Sequence, residues 1–167
     1  HQKIVYVGKS AFANNKNLKT VIFNDAAECE FIYESAFENC TSLELVTLPN
    51  STFDIETKAF NNCTSLKELI FNKHTNLNSL EGKVFNGCNN LETFTVNEEN
   101  NNYTLSDNLL LSKDEKTIVL AAHKYNYGNY TIPTNITKIS SSAFSSVETL
   151  TNLTIHQDVF KIGAHAF

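Results

Sequence analysis

The sequence predicts an α/β solenoid: about six strand repeats of 23–25 residues, a parallel β-sheet on the concave face, and an inserted β-hairpin. Three observations predict it. A phenylalanine, usually behind an alanine, recurs as Phe12, Phe37, Phe60, Phe85, Phe144 and Phe167. Apolar residues fall at the same distances from it in each copy. An L-x-x-L-x-L pattern follows it, ending in an alternation that suits a short half-buried strand. A fixed period of this length marks stacked coils.

The register is strict. Taking Phe as zero, position −1 reads Ala11, Ala36, Ala59, Val84, Ala143 and Ala166, and position −5 reads Val7, Ile32, Ile55, Leu80, Ile139 and Ile162. Position +6 holds Leu18, Leu43, Leu66, Leu91 and Leu150; +9 holds Val21, Val46, Leu69, Phe94 and Leu153; +11 holds Phe23, Leu48, Phe71, Val96 and Ile155. The spacings are 25, 23, 25, 59 and 23 residues, and the 59 divides into 36 and 23 because Tyr127, Tyr130 and Ile132 fill the L-x-x-L-x-L slots, with Pro133 matching Pro49.

This is the leucine-rich repeat pattern. One coil offers about six apolar side chains, each worth about 1.5–3 kcal/mol when fully buried. Ordering its backbone costs about 1–2 kcal/mol per residue. A single coil is therefore unstable, and stacking must supply the core and the hydrogen bonds. Each element follows from this. Positions +8 to +11 form the strand, with +9 and +11 inward. The S-A-F-x-x-C stretch reads as one helical turn on the opposite side. The residues before it, such as "NITKIS" (135–140), read as a second extended piece.

The common leucine-rich repeat carries Asn three positions past the last strand Leu; here those residues are Ala26, Ser51, His74 and Glu99. Residues 32–49, "IYESAFENCTSLELVTLP", instead resemble the BspA-like leucine-rich repeats and their I-x-x-x-A-F-x-x-C-x-x-L-x-x-I-x-I-P signature; residues 136–144, "ITKISSSAF", match its front half. Residues 103–133 are similar to that family's recurring insertion, a strand pair ("LLLS", "TIVLA") around the charged turn Lys113-Asp114-Glu115-Lys116. The resemblance implies a cell-surface or extracellular protein linked to adhesion to host proteins and cells. It carries over no binding motif.

The two ends, "HQKIVYVGKSAF" and "IGAHAF", fall at nearly the same phase of the repeat. The chain is thus read as one solenoid segment, residues 1–167, of a longer array, with 98–126 as the inserted hairpin region. A net charge of −5 without a basic run argues against a nucleic-acid partner. No apolar stretch reaches the roughly 18 residues of a helical membrane span. The histidines His1, His74, His123, His156 and His165 sit at unrelated repeat phases, with only His156 near the concave rim. No catalytic or phosphate-binding motif appears. Neither an enzyme nor a cofactor is expected.

Cys40, Cys63 and Cys88 share position +3, where the last full repeat has Val147; valine there marks a small apolar core position. Buried free thiols are expected, and disulfides between neighbouring coils, with Cys29 available, stay open. No C-x-x-C spacing suggests a metal. Asn14, Asn39 and Asn62 share position +2 and are read as partners of loop backbone groups. Glycosylation sequons begin at Asn39, Asn50, Asn62, Asn102, Asn129, Asn135 and Asn152. The repeat itself dictates the "NCT" of Asn39 and Asn62; Asn102, Asn129, Asn135 and Asn152 are taken as the candidates.

The outward strand positions form the candidate binding face. At +7 stand Lys19, Glu44, Lys67 and Glu92; at +8 Thr20, Leu45, Glu68, Thr93, Asn129 and Asn152; at +10 Ile22, Thr47, Ile70, Thr95, Thr131 and Thr154. Alternating charge on strands about 4.8 Å apart neutralises itself and stabilises the sheet. Ile22, Leu45 and Ile70 make a modest apolar patch suited to protein docking, although β-propensity also explains Ile. The leading expectation is a non-catalytic protein-interaction module that binds host or matrix proteins through the concave sheet or the inserted hairpin. The rivals are a subunit of a surface filament, with copies stacked end to end, and an intracellular scaffold.

Overall fold

The computed structural model describes residues 4–24, 28–52, 54–77 and 83–167. In the first three coils a two-residue strand precedes the Phe and a longer one follows it. The first three coils supply β1 (Tyr6–Val7) and β2 (Thr20–Ile22), β3 (Phe31–Ile32) and β4 (Leu45–Leu48), then β5 (Asp54–Ile55) and β6 (Glu68–Phe71); the fourth supplies β7 (Thr93–Val96). Leu80, the expected −5 residue of that coil, lies outside the described residues. The long unit holds β8 (Tyr103–Ser106), β9 (Leu109–Ser112), β10 (Thr117–Ala121) and β11 (Gly128–Thr131). Then come β12 (Lys138–Ile139), β13 (Leu150–Thr154) and β14 (Lys161–Ile162).

The longer strands form a parallel front sheet in the order β2-β4-β6-β7, with β11-β13 as a separate parallel pair. The short strands form β1-β3-β5 and part of a mixed sheet, β14-β12-β10-β9-β8. Equivalent repeat positions pair throughout: Val21, Val46, Leu69 and Phe94 lie in one row.

The expected helical turn is absent. The described residues contain no helix, so the α/β class is corrected to an all-β solenoid. The reason lies in where the turn's amides go. Ser10, Phe12 and Asn14 donate to Glu34, Ala36 and Glu38 of the next coil at 3.0, 2.8 and 2.7 Å, while the alternate amides of Ala11, Ala13 and Asn15 bond within the turn. A helix sends every amide four residues back along its own chain. Here every second one is exported. That alternation requires left-handed residues at −2 and +2: Ser35 and Asn39 have φ of 57° and 59°, Lys58 and Asn62 60° and 57°, Lys83 and Gly87 66° and 76°. Such values are incompatible with a right-handed helix.

The core is built on the Phe column. Rings of Phe12, Phe37, Phe60 and Phe85 stack nearly parallel at centroid spacings of 5.1, 5.0 and 5.4 Å, and Phe144 stacks on Phe167 at 5.2 Å. The thiols lie alongside. Cys40, Cys63 and Cys88 each donate to the Phe carbonyl of the preceding coil, on Phe12, Phe37 and Phe60, at 3.1–3.2 Å. All four cysteines are free and buried.

The column breaks at the long unit. Ala121 takes the Phe position there: its amide bonds Ala143 at 2.8 Å, as Phe37 bonds Ala59. The space is filled by the expected antiparallel pair β9–β10, joined by a third strand, β8, that the sequence reading did not separate. Leu110 and Leu120 pack into the core on one side; Leu109, Leu111, Ile118 and Ala121 pack into a second core on the other. The insertion is an internal wall with two apolar faces.

Phe60→Ala should cost about 3–5 kcal/mol in urea unfolding, because it empties a fully buried slot between two rings. Phe12→Ala should cost under half as much, since Phe12 is 44% exposed with one ring neighbour.

Candidate interaction surface

Strand alternation turns the +8 and +10 side chains of the front sheet outward while Val46, Leu48, Leu69 and Phe71 are buried beneath. The structure sets Thr20, Leu45, Glu68 and Thr93 in one row and Ile22, Thr47, Ile70 and Thr95 in a second. Ile22 is 67% exposed, whereas Leu45 and Ile70 are half-buried by their neighbours.

Lys19, Glu44, Lys67 and Glu92 stand at the strand entrances and are exposed. Lys67 pairs with Glu44 at 3.2 Å, and Thr95 donates to Glu68 at 2.6 Å. The alternation continues one coil further than the sequence register showed. Lys124 pairs with Glu92, and its amide bonds the Leu91 carbonyl at 3.0 Å. Lys124 holds the Glu92 carboxyl below the usual carboxylate range, first through their hydrogen bond and then through its charge. The signal for Lys124 was the sign alternation, but the residue lies three positions after Ala121, inside the turn, rather than at the expected position +7. Tyr125, 42% exposed, shares a shallow open recess with Glu92 and Lys124.

The face is in two parts. Asn129 pairs with Asn152 and Thr131 with Thr154 on β11–β13, but β11 is not bonded to β7. The β8–β9 turn reaches this break. Asp107 and Asn108 both have positive φ, 46° and 63°, and the Asn108 carbonyl accepts from the Tyr127 hydroxyl at 3.1 Å and the Ala122 amide at 3.0 Å.

The sequon asparagines separate by environment. Asn102 is half-buried with its amide on the Thr75 carbonyl at 3.3 Å. Asn129 and Asn152 are exposed and bonded to each other. Asn135 is exposed in a turn and donates to the Glu115 carbonyl at 2.8 Å. At position +2, Asn62 donates to Asn39 and Asn39 to Asn14, at 3.2 and 3.0 Å, so these side chains serve one another rather than the backbone. Their left-handed φ explains the choice of residue, since Asn tolerates that region best after Gly.

The buried polar groups are structural. Burial pushes the Cys40 thiol up to about 11 and also raises Cys29; Cys63 is raised above all by its hydrogen bond with Cys88. These thiols are not nucleophiles at neutral pH. His123, 2% exposed, has Nδ1 3.1 Å from the Cys88 carbonyl and no partner at Nε2. His156 Nε2 lies 3.0 Å from the Pro133 carbonyl. Among the described residues no three His, Cys, Asp or Glu side chains converge as metal ligands, and no helix is long and apolar enough to cross a membrane.

Parallel strands stacked one per coil on a repeating apolar column define a leucine-rich repeat solenoid. The chain belongs to the BspA type leucine-rich repeat family, whose profile matches residues 1–116 and 117–167 in six copies. Among curated proteins, none matches. The fold is similar to the pneumococcal vaccine antigen PcpA (24% identity, TM-score 0.66, 97% of this chain and 44% of that one). It is also similar to a leucine-rich repeat protein from Eubacterium ventriosum (20%, 0.74, 98% and 48%). A third likeness is to a leucine-rich cell surface protein from Faecalibacterium prausnitzii (21%, 0.60, 98% and 55%). The chain spans about half the length of these proteins.

Desolvation pushes the His123 imidazole down to about 4 from an ordinary 6.5. The unfolded chain therefore binds the proton first, and this contribution to stability falls as pH drops from 6.5 towards 4, by up to about 3 kcal/mol. His123→Leu should flatten that part of the urea-midpoint profile relative to the native sequence.

Proposed function

We propose that this segment is a non-catalytic protein-interaction module, displayed at the cell surface or outside the cell, that contributes to adhesion by binding host or matrix proteins through its front sheet. One observation carries the reading. The inward row Val46, Leu69, Phe94 repeats one apolar theme, while the outward row Leu45, Glu68, Thr93 changes at every strand. Packing dictates the first and leaves the second free, and a free row on a rigid scaffold is where recognition can be written. The similarity to a leucine-rich cell surface protein and a vaccine antigen supports the location. The family's repeat is typically a non-enzymatic scaffold, which fits the buried free thiols.

The inserted hairpin plays a supporting part. Leu109, Leu110 and Leu111 are all buried, so it presents its turns and the Leu105–Ser106 end of β8 to a partner. The four-stranded portion, with Ile22 exposed and the charged row largely paired, is the docking area. A partner there meets threonine, isoleucine and balanced charge, a surface that favours a flat protein face over a highly charged polymer.

The test is surface plasmon resonance of the segment against immobilised matrix and host cell-surface proteins. Saturable binding is expected, with Ile22→Glu/Ile70→Glu weakening it at least about tenfold while the melting temperature is little changed, as hot-spot loss predicts. Saturable binding that these changes leave intact would move the site off the front sheet, and no binding to any such protein would remove the adhesive reading.

A further inference from the structure

The outer face of the short-strand sheets carries two patches of opposite character. Over β1-β3-β5, Val7, Ile32 and Ile55 are buried, so alternation turns Tyr6, Phe31 and Asp54 outward, followed by Tyr33 and Glu56. Tyr6 is 58% exposed, and the Tyr33 ring lies 5.5 Å from Tyr6 and 6.0 Å from Phe31. Asp54 pairs with Phe31 on β5, and Glu56 follows the strand, one of its carboxylate oxygens accepting from the Glu34 amide at 2.9 Å. Of the nearby cations, Lys9 is engaged by Glu34, and Lys58 also helps to lower the Glu34 carboxyl. This patch is aromatic and acidic.

Over β10-β12-β14, Ile118 and Ile139 are buried and the outward row reads Thr117, Lys138, Lys161 in register. Lys116 precedes it. Lys138 lies 5.4 Å from the centroid of Phe160, a ring that is 72% exposed. Asp114, on the hairpin turn, stands near Lys116 and Lys138 and is bonded to the Ser112 hydroxyl and the Lys116 amide. Lys138 and Lys161 are exposed. This patch is basic, with an aromatic ring of its own.

We propose that the aromatic-acidic patch of one copy docks on the basic patch of a second copy of this chain. Both patches are rows built across parallel strands, so both repeat at about 4.8 Å, and charges set at one pitch can register with charges set at the same pitch. The exposed rings of Tyr6 and Phe160 add apolar area, and lysine over an aromatic face gains cation–π attraction. Charge complementarity within one sequence selects a second copy over other basic partners. Because the contact joins two different patches, a two-fold dimer satisfies both reciprocally, and any other rotation extends it to further copies. It is distinct from end-to-end stacking of coils, and it leaves the front sheet open for the role given above.

Sedimentation velocity across a concentration series tests it. The native sequence should gain mass with concentration at low salt and lose it at high salt, as exposed charge pairing is screened. Lys138→Glu/Lys161→Glu and Asp54→Lys/Glu56→Lys should each associate at least about tenfold more weakly, since each sets like charges face to face. An equimolar mixture of the two variants should associate again, because each then offers the patch the other lacks. Circular dichroism confirms that both variants are folded. A native chain that stays monomeric at low salt overturns the proposal, whether or not it captures a lysine-rich peptide, and so does association that both reversals leave intact.

Discussion

The coils of Phe12, Phe37, Phe60 and Phe144 give alternate amides of their turns to the next coil. That one exchange sets most of what surrounds it. An exported amide needs a carbonyl from the next coil at hydrogen-bond distance, which fixes the rise between coils at strand spacing. The same rise brings the Phe rings to 5.0–5.4 Å along the first column. It also places each Cys thiol under the Phe carbonyl of the preceding coil, which valine at Val147 cannot exploit as a donor. Turn, core and sheet thus share one pitch, and a lone coil satisfies none of the three. This is the physical content of the solenoid's cooperativity.

The period was legible because apolar spacing is a direct record of burial. Ala36, Phe37, Cys40, Leu43, Val46 and Leu48 are all buried, as their recurrence required. The turn was not legible in the same way. S-A-F-x-x-C has the composition of a helical turn, and only the neighbouring coil, which competes for its amides, decides against one. Local sequence does not contain that competitor. The asparagines at +2 held the missing clue, since a recurrent Asn is as consistent with a left-handed backbone as with a capped loop. The candidate face was legible strand by strand but not in its extent. Its outward rows followed from alternation, whereas β11 pairs with β13 and not with β7, because the chain between them builds strands of another sheet.

Function divides along the same line. Residues that hold the pitch are excluded from recognition, because their side chains are spent on neighbours above and below. Lys67 and Glu44 belong partly to this group: an exposed pair of this kind is worth about 0–1 kcal/mol, enough to quieten the face electrostatically but little to stability. What remains free is a short outward row on each front strand and the outer face of the short strands. Two separate surfaces on one rigid body allow a module to hold a partner on one side and a copy of itself on the other, which raises the effective concentration of every front sheet in the assembly.

The hairpin wall has a further meaning for the array as a whole. In a uniform stack any coil resembles the next, so a slipped register by one whole repeat costs little beyond the ends. Leu109 and Leu111 face one core and Leu110 the other, and no other pair of strands among the described residues presents this alternation. The wall is therefore a fiducial mark: a chain that folds one coil out of step on either side meets a face that does not fit. Within this segment, the repetitive sequence acquires an origin from which its coils are counted.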